Sequence, residues 1–132
     1  MGRNQRKRRS EETVQAITYQ LEHVLEHYDM QLLVLADDLG LTIAFAGDEN
    51  AARAFAAFAG HLATSDDLDP SLQEYLPGVT PEQVYCESLQ LDEIPLFLLA
   101  VMPPTIDNAH GFERVRTGIQ RIYRTTGSLS DD

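Results

Sequence analysis

The fold of this chain is decided by the stretch Leu32-Leu33-Val34-Leu35-Ala36-Asp37-Asp38-Leu39-Gly40-Leu41-Thr42-Ile43-Ala44-Phe45-Ala46. It consists of two short apolar runs, 32–36 and 41–46, on either side of four residues with turn chemistry, 37–40. Such a pattern favours a hairpin, because aspartate and glycine adopt the backbone conformations that a tight connection needs. The stretch therefore predicts two adjacent antiparallel strands.

A second hairpin is predicted later in the chain. Residues 84–91 and 94–102 flank Asp92-Glu93, and the later of these two strands is apolar at nearly every position. A strand without polar alternation is typically buried on both faces, so we expect it to lie at the centre of the sheet. Between residues 64 and 81 the chain carries three prolines and several acids, which predicts either a short edge strand or an inserted loop.

Three segments have the periodicity of helices that bury one face. Ser10, followed by two glutamates, predicts the start of the first helix, whose apolar residues recur at helical spacing as far as Tyr28. An alanine-rich helix is predicted over 49–63, and a third helix from Asp107 or Asn108 to Arg124. The order is α-β-β-α-β-β-α. The sequence therefore predicts an α+β sandwich with one antiparallel sheet of four or five strands and three helices.

Charge divides the chain into a basic start and an acidic body. Five of the ten Lys and Arg residues lie between Arg3 and Arg9, and the other five share residues 11–132 with all 21 acids. We expect residues 1–10 to be a disordered basic tail, residues 11–125 to be one domain and residues 126–132 to be a flexible acidic tail. So acidic a body repels phosphate backbones, which argues against nucleic acid as a partner of the folded domain. For the basic tail the choice stays open between a solvated arm and a contact with RNA, an anionic membrane or an acidic protein.

The cysteine content and the hydropathy indicate the compartment. No apolar run long enough for a signal peptide or a membrane span follows the basic N-terminus. The single cysteine, Cys86, has no partner for an internal disulfide and alternates with apolar residues, as a buried thiol in a strand does. We therefore expect a cytoplasmic protein without disulfides.

The first hairpin and the helix after it resemble the roadblock family, which includes dynein light chain roadblock and bacterial MglB-type partners of Ras-like GTPases. In that family the first hairpin consists of a strand, an Asp-x-x-Gly turn and a second strand, and an alanine-rich helix follows. The matching residues here are Asp37, Gly40 and Leu41. The resemblance covers residues 12–124 in element order and residues 32–63 in sequence detail. It implies a dimeric scaffold that binds a Ras-like small GTPase. The family usually has three strands between its second and third helices, where this sequence shows two, which puts the usual mode of dimerisation in question.

No catalytic, cofactor or metal site is predicted. His23 and His27 fall within an H-x-x-E-H pattern, but both lie opposite the apolar face of the first helix and no further ligand can be placed beside them. The acids Asp66, Asp67 and Asp69 lack the glycine and the terminal glutamate of a calcium loop. There is neither a nucleophile elbow nor a glycine-rich phosphate loop. We therefore expect a protein that is not an enzyme.

Two helix surfaces are candidates for contact with partners. On the predicted second helix, Phe55, Phe58 and Leu62 should cover the sheet, which leaves a stripe of small side chains for a second copy of the chain. Arginines on the exposed faces of the second and third helices could anchor acidic groups of a partner, and for those of the third helix pairing with the protein's own acids is the alternative. The predicted dimer interface is Ala52, Ala56, Ala59 and Ala63, and the predicted partner-binding residues are Arg53, Arg114, Arg121 and Arg124.

These expectations combine into one function, that of a non-enzymatic, homodimeric scaffold or regulator that binds a Ras-like small GTPase, as an adaptor or as a modulator of its GTP cycle. Two alternatives belong to other classes. Acidic α+β proteins of this size also resemble type III secretion chaperones, which bind an unfolded effector segment but place three strands after the first helix. A small-molecule sensor of the GAF or profilin-like kind would need a binding pocket.

Overall fold

One antiparallel sheet lies between two layers of helices. The computed structural model describes residues 2–65 and 67–126, with residues 2–10 described by their backbone alone. In chain order the elements are α1 (Gly2–His27), β1 (Leu32–Asp37), β2 (Thr42–Ala46), α2 (Glu49–Ala57), α3 (Ala59–Thr64), two 3-10 helices (Pro70–Glu74 and Pro81–Gln83), β3 (Val84–Leu91), β4 (Ile94–Val101) and α4 (Ile106–Thr126). The strands lie in the order β2-β1-β4-β3, and all neighbours are antiparallel. The predicted α+β fold is confirmed, with four strands among the described residues.

The two central strands, β1 and β4, are buried on both faces. Leu33 of β1 packs into a core with α1 and α4, and its neighbour Val34 packs into a second core with α2 and α3. Leu98 and Leu99 of β4 divide between the two cores in the same way. Each strand is a continuous apolar run in the sequence because neither face meets water. The sheet therefore needs a helical layer on each side, an α1–α4 layer and an α2–α3 layer.

The β1–β2 turn is fixed by its own aspartate and glycine. The Asp37 carboxylate accepts hydrogen bonds from the backbone N–H groups of Leu39 and Leu41, both at 2.9 Å. Gly40 has a φ of +85°, and a Cβ added to it would lie 3.2 Å from the Cα of Ala57 at the end of α2. The turn therefore packs directly against α2, which favours glycine at this position.

The prediction of a single helix over 49–63 is wrong in one respect, because this segment forms two helices that meet at Phe58. The Phe58 backbone has φ −102° and ψ 7°. Its N–H donates to the carbonyl of Phe55 at 3.1 Å, and its carbonyl accepts from the N–H of Leu62 at 2.9 Å. α2 packs against β1 and β2, whereas α3 packs against β3 and β4. Since a sheet twists, the break lets one apolar segment cover both halves of it.

The alanine stripe is used inside the single chain. Ala52 and Ala56 are 0% exposed and Ala59 is 1% exposed, all in the core between the α2–α3 layer and the sheet. Ala63 is half-buried. Small side chains let the helices approach the large residues of the central strands, so a monomer does use this stripe. The prediction that Ala52, Ala56, Ala59 and Ala63 form a dimer interface is therefore wrong for the three buried alanines.

The first helix begins earlier than the sequence indicated. α1 starts at Gly2, so the predicted start at Ser10 is wrong, and residues 2–10 continue the helix where a disordered tail was expected. Arg, Lys and Gln are favourable in helices, and no proline interrupts these residues. Of the expected flexible acidic tail, Thr126 ends α4 and residues 127–132 lie outside the described residues. Neither α1 nor any other helix within the described ranges is long and apolar enough to cross a lipid bilayer.

The connection between α3 and β3 contains no strand among its described residues. Leu72 and Val79 are buried and anchor it to the core of the α2–α3 layer. Asp69 begins the first 3-10 helix by accepting a hydrogen bond from the backbone N–H of Ser71 at 2.9 Å. Of the two predicted possibilities, the described part is thus an inserted loop, and β3 is left at the edge of the sheet.

The variant Gly40→Ala is expected to destabilise the protein more than Gly78→Ala. Both glycines have positive φ, +85° and +82°, so each alanine carries a left-handed backbone cost of about 1–2 kcal/mol. A Cβ at Gly40 also meets α2, whereas no described residue lies within 4 Å of a Cβ at Gly78. Urea unfolding should therefore give a free energy of unfolding that is lower for Gly40→Ala by a further ~1 kcal/mol. Equal losses would contradict the packing of the turn against α2.

Candidate functional site

Helix α4 has one face in the core and one face on the surface. Val115 and Ile119 are buried against the sheet and α1. Arg114, Arg121 and Arg124 are exposed. The helical period of 3.6 residues puts these three side chains on the outer side of α4, as the sequence predicted. We refer to Arg114, Arg121 and Arg124 as the arginine stripe.

Close packing against α1 holds α4 in place. The hydroxyl of Thr13, early in α1, donates a hydrogen bond to the hydroxyl of Thr126 at the end of α4. A Cβ added to Gly118 of α4 would lie 2.6 Å from Nε2 of Gln20 further along α1. The two helices therefore run antiparallel, and at Gly118 the side chain of Gln20 packs closely on α4, where a Cβ would make it shift. The arginine stripe is carried by a helix that is fixed along its length.

A surface groove of about 390 Å³ lies between α1 and α4 beside the arginine stripe. Its lining includes the basic residues His110, Arg114 and Arg121 and one acidic residue, Glu113. The Glu113 carboxylate is bonded by Arg116, which also bonds Glu87, and Arg114 and Arg121 outnumber this one acid in the lining. The groove therefore favours an anionic group, and guanidinium groups can hold a carboxylate by two parallel hydrogen bonds.

The ion pairs of the described residues separate the arginines into two groups. Arg116 bonds to Glu87 of β3 at 3.3 Å and also to Glu113, and Arg53 bonds to Glu49 one helical turn away. No residue of the arginine stripe is in an ion pair with any residue that the structure describes. Pairing with the protein's own acids is therefore seen for Arg53, which stays mostly exposed, and for Arg116, which was not among the predicted residues. It does not account for the arginine stripe.

The structure does not bring Arg53 together with the arginine stripe. Arg53 lies on α2, on the opposite side of the sheet from α4, and 70% of its side chain is exposed. A single flat surface of a partner cannot touch both helical layers of one chain. The four arginines predicted to bind a partner therefore belong to two separate surfaces.

The residues that were considered as metal ligands lie at the surface. His23 and His27 are exposed on α1, and their rings stack with centroids 5.4 Å apart. Asp69 is a turn residue, and its hydrogen bonds from Ser71 lower the pKa of its carboxyl. Asp66 lies outside the described residues. Within the part of the chain that the structure describes, no three His, Cys, Asp or Glu side chains are placed to hold a metal ion, and the absence of a metal stays a prediction.

Comparison with solved structures identifies the fold. A structure of MglB with tetrameric arrangement aligns with a TM-score of 0.56 over 86% of this chain and 92% of that chain, at 15% sequence identity. The structure of Myxococcus xanthus MglB aligns with a TM-score of 0.54 over 86% of this chain and 91% of that chain, at 13% identity. The fold is roadblock-like. No model of a known protein family and no curated protein matches the chain.

In this roadblock-like fold the Asp-x-x-Gly motif is structural. Asp37 and Gly40 close the β1–β2 turn and place it against α2. The motif that carried the resemblance in the sequence therefore identifies the fold correctly. The candidate site lies elsewhere, on α4, and its signal in the sequence is the period of its arginines.

The Cys86 thiol is expected to react slowly in the folded protein. It is half-buried, and its Sγ donates to the carbonyl of Ala59 at 3.3 Å. Burial, and to a lesser degree the charge of Glu87, raises the pKa of the thiol from 9.0 to about 12. Because the thiolate is the reactive form, labelling by dithionitrobenzoate at about pH 8 should be slow in buffer and fast in urea. Equal rates in the two solutions would contradict this placement of Cys86.

Proposed function

We propose that this chain is a non-enzymatic, self-associating scaffold that binds a Ras-like small GTPase, as an adaptor or as a modulator of its GTP cycle. The roadblock-like fold that the chain shares with MglB supports the proposal. The observation that carries it is the arginine stripe, Arg114, Arg121 and Arg124, which is exposed and makes no ion pair with a described residue. It is a basic surface on an otherwise acidic domain, and unpaired arginines are suited to bind carboxylates of a partner.

The charge of the whole domain makes docking on this stripe selective. Residues 11–132 hold all 21 acids and five basic residues, so the long-range field of the domain repels acidic proteins. A partner gains from the stripe only when its carboxylates reach the guanidinium groups at hydrogen-bond distance. Such contacts fix the orientation of docking and weaken as salt is added.

We infer that the chain acts by holding loops of the GTPase in place. A regulator can accelerate phosphoryl transfer by donating an arginine to the transition state or by positioning the GTPase's own residues. The arginines with described side chains all lie on α2 or α4, and none projects from a loop. A helix that is packed along its length, as α4 is against α1, suits a flat docking surface better than insertion into a nucleotide site.

The structure does not favour the two other classes considered from the sequence. In type III secretion chaperones three strands follow the first helix, whereas here α2 follows β1 and β2. The grooves beside the arginine stripe and beside β3 are both open to solvent, unlike the enclosed pocket typical of a small-molecule sensor.

Substituting one arginine in each helical layer tests which surface docks the GTPase. A Ras-like GTPase retained by the chain as bait would be purified, and its Kd for the variants Arg121→Ala and Arg53→Ala measured by calorimetry. Both variants remove one exposed arginine, so they change the net charge equally. Loss of a charged hydrogen bond costs about 1.5–3 kcal/mol, so Arg121→Ala should raise Kd roughly tenfold or more, and Arg53→Ala should leave it within about twofold. At saturation, any stimulated GTP hydrolysis should persist in Arg121→Ala.

Three results would contradict this proposal in different parts. Retention of no GTPase would contradict the function itself. A normal Kd for Arg121→Ala with a raised Kd for Arg53→Ala would move the docking surface to α2. If Arg121→Ala binds the GTPase normally but loses all stimulated hydrolysis, Arg121 is a donor to the transition state and the holding mechanism is wrong.

Self-association is expected to use a surface other than the buried alanines. The related MglB structure has a tetrameric arrangement, which supports assembly of this chain as well. Sedimentation velocity at tens of micromolar, roughly where weak specific associations are populated, should give a mass of at least a dimer. A monomer mass throughout the accessible concentration range would rule out this part of the proposal.

A further inference from the structure

Strand β3 is an open edge of the sheet. It has eight residues, pairs only with β4 among the described residues, and contains neither a proline nor an irregularity in its register. The other edge strand, β2, has five residues, an irregular register with β1, and contacts with α1. Long regular edge strands are normally protected by such features, because their free backbone groups can pair with another chain. β3 is neither short nor irregular in register, and its contact with α3 covers one face while no backbone bond among the described residues covers its outer edge.

The register identifies the backbone groups that face away from β4. The N–H of Met102 donates to the carbonyl of Gln83 at 2.8 Å, and residues of an antiparallel ladder alternate between inward and outward bonding. Gln83 pairs inward, so the outward positions on β3 include Cys86, Ser88 and Gln90. Among the described residues, no additional backbone hydrogen bond is made by these three positions. Their N–H and C=O groups are therefore available to a further strand.

A groove of about 760 Å³ runs beside this edge, between β3 and the segment that follows α3. Apolar side chains in its lining include Leu62, Leu68 and Val84. The charged side chains of its described lining are all acidic: Asp67, Glu82 and Glu87. Of these, Glu87 is bonded by Arg116, and the other two are in no ion pair with a described residue.

We propose that the β3 edge binds an extended, basic segment of a partner protein, which adds to the sheet as a fifth strand. Free backbone groups would supply the pairing, and side chains of the added strand that face the groove would contact Leu62 and Leu68 and meet the charges of Asp67 and Glu82. A second copy of the chain fits less well, because β3 carries an acid, Glu87, and no basic residue to place near Asp67 and Glu82. This inference is independent of the GTPase.

Three fluorescent peptides test the edge directly on the full chain. The first is a nine-residue peptide that alternates Lys and Val, the second alternates Glu and Val, and the third is the Lys-Val peptide with N-methyl groups on alternate residues. Fluorescence anisotropy should show saturable binding of the first peptide and at least roughly tenfold weaker binding of the other two. Equal binding of the Glu-Val peptide would overturn the charge argument, and equal binding of the N-methylated peptide would overturn strand addition.

Variants of the chain locate the site. The double variant Asp67→Asn/Glu82→Gln should weaken binding of the Lys-Val peptide about fivefold or more. The control is Glu22→Gln/Glu26→Gln on the exposed surface of α1, which removes the same charge and should leave binding of this peptide unchanged. Ser88→Pro removes one outward N–H that β4 does not use, so binding should fall about threefold to tenfold relative to Ser88→Ala. Unchanged binding of the Lys-Val peptide by the double variant would contradict the proposed site at Asp67 and Glu82. A dimer of the chain that dissociates in Ser88→Pro would show that the β3 edge pairs with a second copy of the chain. The N-methylated peptide keeps the test valid if Ser88→Pro does not fold.

Discussion

The burial of β1 and β4 on both faces is the constraint on which the rest of the structure depends. Leu33 and Leu98 face the α1–α4 layer, and Val34 and Leu99 face the α2–α3 layer, so neither helical layer can be removed without exposing the centre of the sheet. The second layer is built from a short apolar segment that breaks at Phe58 and follows the twist of the sheet. Ala52, Ala56 and Ala59 are buried in this contact, so these three side chains are not exposed to a second chain.

The same constraint decides which surfaces remain for partners. The inner faces of all four helices contribute to the two cores, so recognition must use outer helix faces and sheet edges. On α4 the outer face carries arginines without ion pairs among the described residues, and along β3 the edge carries free backbone groups beside acidic side chains. Two surfaces of opposite charge thus lie on one acidic domain. They suit different partners, a protein with exposed carboxylates and an extended basic segment.

Local patterns in the sequence were enough to predict the hairpins, the order of the elements and the two-sided character of α4. These features depend on residues close in sequence, such as Asp37 with Gly40. The sequence could not predict which apolar stripe is buried, because the use of Ala56 depends on how closely α2 approaches the sheet. It also could not separate Arg53 from the arginine stripe or pair Arg116 with Glu87, since both results depend on which layer each helix joins. The pairing of Arg116 with Glu113 was accessible, because a spacing of three on a helix indicates it.

The central claim is that the outer face of α4 docks a Ras-like GTPase. NMR spectroscopy of the isotopically labelled chain, titrated with the GTPase bound to a non-hydrolysable GTP analogue, tests this claim most directly. The account predicts that the largest chemical-shift changes and the strongest loss of amide signal fall on residues 110–124 of α4 and on the facing turns of α1 around Gln20. Changes that concentrate on α2 around Arg53, with α4 unaffected, would contradict it.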